Sequence, residues 1–145
     1  MNASAPNSSG ENSESGFTLV EMLVVITIIG LIMALVGPRV LNYLTDSKIK
    51  AAKIQIESFS NALELYYLDT GRYPPSSDGL TALVRPTTSI PGWNGPYLRG
   101  DRVPNDPWGH PYVYRSPGQI GPYEIISLGS DGQEGGEGAA ADITK

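Results

Sequence analysis

A chain of 145 residues has room for about one domain, and its net charge of −5 with only ten Lys and Arg residues disfavours a nucleic-acid partner. It has no cysteine, so no disulfide can staple a small domain together. Its 17 glycines and 12 prolines, most of them after Gly71, indicate turns and short strands in the second half of the chain.

The first 36 residues fall into two segments of opposite character. Residues 1–16 are polar and contain no Lys or Arg, and no core can be built from them. The next 20 residues, 17–36, are apolar with four exceptions: Thr18, Glu21, Thr27 and Gly30. At a rise of 1.5 Å per residue they make about 30 Å of helix, the thickness of the hydrocarbon core of a bilayer. We therefore predict one transmembrane segment over residues 17–38.

A second helical pattern follows Pro38, which we expect to kink or locally melt the helix because it cannot donate a backbone hydrogen bond. Apolar side chains then recur three and four residues apart, the spacing of one helix face. They are Ile49, Ala52, Ile56, Phe59, Leu63 and Tyr66. Gly71 ends the pattern, so we predict one helix over residues 17–69.

The remaining residues predict a small head. Ser77 and Asp78 can cap a short helix that runs through Val84. Strands are expected at residues 112–114 and 123–127. The chain then closes with a glycine-rich, acidic loop. The predicted fold class is α+β, with a long N-terminal helix packed on a head that contains a short antiparallel sheet.

Glu21 is the residue of the apolar segment that most needs an explanation. A carboxylate in hydrocarbon costs on the order of 3 kcal/mol, so acids within membrane spans usually have a partner and a role. If the chain is cut after Gly16, the new Phe17 ammonium lies about one helical turn from Glu21. Pairing within one chain or between neighbours would neutralise both charges and set the axial offset between helices.

The sequence Gly-Phe-Thr-Leu-Val-Glu at residues 16–21, followed by the apolar segment, resembles the processing site of type IV pilins. In that family a prepilin peptidase cuts after the glycine and methylates the new N-terminal phenylalanine, and the glutamate aligns subunits during assembly. The resemblance implies cleavage after Gly16, methylation of Phe17 and an assembly role for Glu21. Pro38 matches a proline that the family places where the helix loosens inside the filament.

Blocks after the apolar segment, from Tyr66 to Gly132, resemble the major pseudopilins of the type II secretion system. The resemblance implies a cleaved leader (1–16), a transmembrane segment (17–38) and a periplasmic head that includes the second half of the helix (39–145). It also implies a homopolymer in the periplasm, which helps drive folded exoproteins across the outer membrane. The implied partners are minor pseudopilins, the prepilin peptidase, the inner-membrane secretion platform and, before assembly, membrane lipid. The subunit would cross the inner membrane once.

The same resemblance implies a Ca²⁺ ion in the C-terminal loop, in the place of the disulfide that pilins commonly carry. Oxygen ligands suit this hard cation, although the spacing of an EF-hand is missing. Carrying the site across gives the side chains of Asp131 and Asp142 with the carbonyls of Leu128 and Gln133. Glu137 is a possible substitute ligand. The alternative is a solvated acidic tail without a metal.

Three other interpretations remain open at this point. The leader lacks the Lys or Arg usual in the family, and charge bias alone would place the head inside the cell; the processing motif outweighs that bias. A cysteine-free type IV pilus subunit and a membrane-tethered calcium-binding module that does not polymerise are the rival functions. No nucleophile–base constellation or phosphate-binding loop suggests an enzyme, and His110 reads as an ordinary turn residue.

Overall fold

A computed structural model of the protein describes Met1, residues 16–87 and residues 90–145. The predicted leader therefore lies outside the described residues except at its two ends. The chain divides into two compact units, Met1–Val40 and Leu41–Lys145. The first contains the apolar half of the only α-helix in the described part of the chain, and the second contains the remaining half of that helix and all of the strands.

Helix α1 spans Leu19–Thr70, 52 residues, which confirms the long N-terminal helix predicted from the sequence. It ends where Gly71, at φ 75°, donates a backbone hydrogen bond of 2.8 Å to the Tyr67 carbonyl. The helix continues through Pro38, so the local melting expected there does not occur. A proline removes one hydrogen bond from the ladder, whereas the helical residues on both sides cooperatively maintain theirs.

Within the first unit, the apolar side chains of α1 are exposed on every side of the helix. Leu23, Ile26 and Leu31, for example, each expose more than three-fifths of their surface. Among the described residues this is the one helix long and apolar enough to cross a membrane. Among the described residues, none of this apolar window is buried.

Within the second unit, one face of α1 forms a core with the head, as the spacing of apolar residues predicts. Phe59, Leu63 and Tyr66 are fully buried, and Ile49 is partly buried against the same core. The helix residues pack against side chains from the short helix, the connecting loops and the sheet: Leu80, Ala82, Leu83, Val84, Leu98, Tyr112, Tyr114, Ile125 and Ile143.

The sheet has three antiparallel strands in the order β1-β2-β3. They span Val113–Arg115, Glu124–Ser127 and Ile143–Thr144. The first two lie within one residue of their predicted positions. The third was not predicted, because two residues are too few to show an alternating pattern. It pairs Ser127 with Ile143, and this pairing brings the C-terminal residues back to the end of β2.

The short helix of the head is a 3₁₀ helix over Gly79–Leu83, at the position predicted for a helix. The predicted side-chain cap is wrong, since neither carboxylate oxygen of Asp78 accepts a hydrogen bond from the backbone of this helix. The carboxylate instead accepts a hydrogen bond of 2.7 Å from the Thr87 hydroxyl. Asp78 itself already has helical backbone angles, φ −86° and ψ −32°, rather than the extended ones of a capping residue.

Two buried tyrosines provide a test of the core. The Tyr114 hydroxyl donates a hydrogen bond of 2.9 Å to the Pro74 carbonyl, whereas the Tyr112 hydroxyl is buried with no partner among the described residues. Burial raises the pKa of each phenol to about 12. The two side chains therefore have similar surroundings and differ in their hydrogen bonding.

We predict that Tyr114→Phe lowers the free energy of unfolding by about 1 kcal/mol, because the Pro74 carbonyl loses its donor. Tyr112→Phe should leave that free energy unchanged or raise it slightly, because the hydroxyl it removes has no partner. Thermal melting of the detergent-solubilised chain, followed by circular dichroism, compares the two variants. Equal losses in both would contradict the assigned hydrogen bonding.

Candidate functional site

The predicted processing site lies just before α1. Gly16, Phe17 and Thr18 are exposed and precede the first helical residue, and Phe17 exposes 79% of its surface. A Cβ added at Gly16 would meet no atom of the described residues within 4 Å. Gly16 and Phe17 therefore lie just before the first residue of α1, and cleavage between them stays a prediction.

Glu21 forms a capping box with Thr18 at this helix start. Its carboxylate accepts a hydrogen bond of 2.8 Å from the Thr18 backbone N–H, and the Thr18 hydroxyl accepts one of 3.2 Å from the Glu21 N–H. Sequence reasoning considered Glu21 only as the partner of an ammonium group. The spacing Thr-x-x-Glu was the signal that predicts this second role. In the uncut chain, Glu21 therefore has a local partner.

Strand β3 brings together two of the four predicted cation ligands. Ser127 and Ile143 are the last facing residues of β2 and β3, so Leu128 and Asp142 occupy the next positions at the same end of the sheet. Facing residues of antiparallel strands lie about 5 Å apart. The chain between them, residues 129–141, leaves and returns at this end, and we call residues 128–142 the C-terminal loop.

Backbone contacts hold the C-terminal loop closed near its base. The Ser130 N–H donates a hydrogen bond of 2.9 Å to the Ala139 carbonyl. Gly129 lies so close to the other end of the loop that a Cβ there would lie 2.8 Å from the Ala140 carbonyl carbon. Its φ of 66° also favours glycine. These contacts join the two ends of the loop near residues 129–130 and 139–140.

The oxygens of the predicted ligands are only partly engaged. An Asp131 oxygen accepts a hydrogen bond of 3.1 Å from the Gln133 N–H, and an Asp142 oxygen accepts one of 2.9 Å from the Gly135 N–H. The other Asp142 oxygen, Oδ1, is buried and has no partner in the described part of the chain. Within the same residues, the Leu128 and Gln133 carbonyls accept no backbone hydrogen bond of a turn or loop. A buried, unpaired carboxylate oxygen is costly, and a cation would satisfy it.

The other acids of the loop have different surroundings. Glu134 forms an ion pair with Arg115, which also lies 3.7 Å from the Glu124 carboxylate on the neighbouring strand. This pairing makes Glu134 a poor candidate ligand. Glu137 is exposed and precedes the second 3₁₀ helix, Gly138–Ala140, whose last N–H donates to the Glu137 carbonyl at 3.1 Å.

Over residues 16–87 and 90–145, no group of three or more His, Cys, Asp or Glu side chains could hold a metal ion. The predicted ligand set does not require such a group, because it combines two carboxylates with two backbone carbonyls. All four are oxygen donors, and oxygen donors are what Ca²⁺ takes in proteins. The donor chemistry and the unpaired Asp142 oxygen therefore fit a calcium ion.

Sequence reasoning missed a group of residues that contacts this loop from the side. The Asp106 carboxylate is buried, with 5% of the residue exposed, and accepts a hydrogen bond of 2.7 Å from the Ser127 hydroxyl at the end of β2. His110 lies 3.1 Å from the Gly129 carbonyl through Nδ1. The partners lie 19 and 21 residues apart along the chain, so no local pattern could reveal them.

A long apolar helix with an acid in its first turn, followed by a small antiparallel head, defines the class of pilin-like subunits. Residues 12–37 match the prokaryotic N-terminal methylation motif, in agreement with this class. Residues 39–145 match the model of the type II secretion system protein G family. This match covers most of the chain, and the chain belongs to that family.

Curated relatives support the assignment over almost the whole sequence. The type II secretion system core protein G of Pseudomonas aeruginosa is 45% identical over 134 residues, which cover 90% of this chain and 93% of the relative. The protein of the same name from Vibrio cholerae is 43% identical over 133 residues, or 90% of each chain. The corresponding Escherichia coli K12 protein is 38% identical and covers 87% of this chain and 88% of its own length.

One solved structure is similar in fold as well. The major pseudopilin from the type 2 secretion system of enterohaemorrhagic Escherichia coli is 33% identical, with a TM-score of 0.59. The match covers 72% of this chain and 90% of the other. The resemblance inferred from the motifs is thereby confirmed: the chain is a pseudopilin, a structural subunit of the pseudopilus in type II secretion.

Proposed function

We propose that copies of this chain, anchored by α1 in the inner membrane with the head in the periplasm, leave the lipid and polymerise through that helix. The observation that carries the proposal is the exposure of apolar side chains all around the first half of α1. Such a surface is stable in hydrocarbon, and after assembly it would be covered by the same helices of neighbouring copies. Conversion from lipid contacts to helix contacts then needs no refolding of the segment.

The finer parts of this function follow from the family. A prepilin peptidase would remove residues 1–16, minor pseudopilins would join the filament, and an inner-membrane platform would move subunits into it. The filament would then help drive folded exoproteins across the outer membrane. The protein would act as a structural subunit of the filament rather than as an enzyme, since the matched family is that of the type II secretion system protein G. Energy for assembly would come from other components.

Processing is supported by the open position of Gly16 before the helix. We predict that the chain recovered from host membranes begins at Phe17 with a methylated amine. Gly16→Leu should leave the precursor uncut, because the peptidase site would have to admit a branched side chain in place of hydrogen. Mass spectrometry of the membrane fraction reports cleavage and methylation together.

Gly30→Ala is the matched control for this prediction. A side chain at Gly30 also meets no atom within 4 Å, but the residue lies 14 positions beyond the cut. This variant should be processed normally. Recovery of wild-type chain with its leader intact would refute the processing site.

The assembly role of Glu21 can be separated from its capping role. After cleavage, the Phe17 ammonium would lie next to the Thr18 N–H that Glu21 already accepts, so the carboxylate can pair with it without leaving the helix start. Glutamine serves in a capping box as glutamate does, but it carries no charge. Glu21→Gln therefore keeps the cap and removes the ion pair.

We predict that Glu21→Gln and Glu21→Ala both insert in the membrane and both polymerise poorly, because the buried ammonium loses its counter-charge. Filament yield, measured by shearing and immunoblot in a host with the secretion machinery, gives the comparison. Normal yield from Glu21→Gln with poor yield from Glu21→Ala would show that the cap alone matters and would overturn the pairing.

We further propose that the C-terminal loop binds Ca²⁺ through the Asp131 and Asp142 side chains with the Leu128 and Gln133 carbonyls. What supports it is the buried, unpaired Asp142 oxygen at the point where β3 returns beside Leu128. When bound, the ion would join the two ends of the loop and neutralise both carboxylates. Glu137 is the substitute ligand in this proposal.

We predict that a chelator lowers the melting temperature of the detergent-solubilised chain and that added calcium restores it. Calcium at a hundred times its Kd stabilises the folded state by roughly 2.7 kcal/mol, because the unfolded chain does not form the site. Asp131→Asn and Asp142→Asn should melt low with or without the ion. Circular dichroism in chelator and in millimolar calcium makes the comparison.

Glu134→Gln is the control, since it removes an acid of the same loop that is paired with Arg115. It should lose less than about 1 kcal/mol, as expected for an exposed ion pair, and should keep its response to calcium. Equal melting temperatures of the wild-type chain in chelator and in calcium would refute the site and favour the solvated tail.

A further inference from the structure

The turn formed by residues 106–110 is organised around one buried carboxylate. An Asp106 oxygen accepts hydrogen bonds from the backbone N–H groups of Trp108, at 3.1 Å, and His110, at 2.8 Å. The other oxygen accepts the hydrogen bond from the Ser127 hydroxyl. Two backbone hydrogen bonds close the same turn, from the Asp106 N–H to the His110 carbonyl at 2.8 Å and from the Gly109 N–H to the Asp106 carbonyl at 2.9 Å. Both oxygens of this buried carboxylate therefore have hydrogen-bond donors within the protein, which hold it in one position.

His110 projects from this turn against the C-terminal loop. Its Nδ1 donates to the Gly129 carbonyl at 3.1 Å, because a carbonyl oxygen can only accept. Its ring also lies against Gly132, where a Cβ would fall 3.1 Å from the ring atoms Cε1 and Nε2. Gly132 has φ 67°, so glycine is favoured there by conformation as well as by space. One side chain thus contacts the loop at two places.

These contacts enclose the first part of the proposed ligand set. Ser127 and Gly129, both bonded to the 106–110 turn, are the residues on either side of Leu128. Gly132, against the His110 ring, lies between Asp131 and Gln133. Three of the four proposed ligands therefore belong to a segment whose backbone is fixed from one side by the same turn.

We propose that His110 is a positioning residue for the cation, and that the Asp106 carboxylate holds His110 and Ser127 in place for this task. The inference rests on the proposed calcium site. The loop needs such support because five of its residues between positions 129 and 138 are glycines, all at positive φ. Glycine leaves the unbound backbone free to adopt many conformations, which raises the cost of placing ligands.

The distances that Ca²⁺ requires show why this support matters. Its oxygen ligands must lie at about 2.3–2.6 Å, so a displacement of a few tenths of an ångström in the Leu128 carbonyl weakens the bond. Residues that orient metal ligands without touching the metal typically change affinity by about 10–100-fold when removed. His110 would act through the Gly129 carbonyl and the Gly132 backbone, one residue away from each of the three ligands.

The test measures Ca²⁺ binding to the detergent-solubilised full chain by titration calorimetry, together with the melting temperature in chelator. His110→Ala should raise the Kd for Ca²⁺ about tenfold or more. His110→Asn should stay within about threefold of wild type, because its amide nitrogen can take the place of Nδ1 and donate to Gly129. In chelator, His110→Ala should melt somewhat below wild type because it loses the hydrogen bond to Gly129, and His110→Asn should melt close to wild type because it keeps that bond.

Trp93→Phe is the matched control for a merely structural effect. The Trp93 Nε1 donates a hydrogen bond of 2.9 Å to the Ala82 carbonyl, which belongs to the 3₁₀ helix Gly79–Leu83 and not to the C-terminal loop. This variant loses one side-chain hydrogen bond to a carbonyl, as His110→Ala does. It should lower the melting temperature in chelator and leave the Kd unchanged.

The outcomes separate this inference from the calcium site itself. A wild-type chain that binds no Ca²⁺ overturns both. Wild-type binding with an unchanged Kd in His110→Ala overturns the positioning role and leaves the site intact. A raised Kd in His110→Ala that His110→Asn restores, with Trp93→Phe unaffected, supports the positioning role.

Discussion

A helix inside a bilayer has no water to satisfy its backbone, and the start of α1 meets this constraint with side chains of its own. Four N–H groups at the beginning of any helix lack helical partners. The Thr18 hydroxyl accepts one of them, from Glu21, and the Glu21 carboxylate accepts the N–H of Thr18, which precedes the helix. The acid that we propose to act in assembly therefore also caps the start of the helix in the uncut chain. The capping box satisfies hydrogen bonds but does not neutralise the negative charge of Glu21, so this side chain still requires a cationic partner outside the box.

The head solves a different problem, that of holding a small core together without a covalent link. It has no cysteine, and its sheet contains only nine residues in three strands, the last of two residues. Much of its stability must come from the buried face of α1, where Phe59, Leu63 and Tyr66 have no exposed surface. The C-terminal loop lies beyond that core, so its order depends on polar contacts such as the Arg115 ion pair and the hydrogen bonds to the 106–110 turn. The unpaired oxygen of Asp142 is the point at which the proposed calcium ion would add another contact.

Elements whose sequence pattern repeats over many residues could be predicted, whereas elements that depend on contacts between distant residues could not. The helix Leu19–Thr70 follows from 20 apolar residues and a regular stripe after Pro38, because many residues repeat the same signal. The strand Ile143–Thr144 is too short to show an alternating pattern, and it forms because β2 offers a free edge. The Asp78 cap failed for a similar reason, since the Thr87 hydroxyl competes for the carboxylate.

The candidate sites divide in the same way. The processing and assembly residues could be proposed from the sequence because they lie within one motif of six consecutive residues, Gly16 to Glu21. The proposed ligands of the C-terminal loop came from the resemblance, and the sequence alone offered only several acids in a glycine-rich segment. The role of His110 could not be foreseen, because its contacts with Gly129 and Gly132 form only after the 106–110 turn and the end of β2 have come together.

The pairing of β3 with β2 has a further consequence for the last residues of the chain. Lys145 exchanges two backbone hydrogen bonds with Ile125, at 3.3 and 3.4 Å, and its ammonium lies 2.5 Å from the Glu57 carboxylate on α1. The hydrogen bond to Glu57 raises the pKa of Lys145 above its ordinary value. Asp142 is therefore held in place by residues that follow it, because Lys145 attaches this end of the loop to β2 and to α1. Slow hydrogen exchange at the Ile125 amide would show that Lys145 is bonded to β2, and fast exchange that it has detached. This measurement needs no probe in the loop itself.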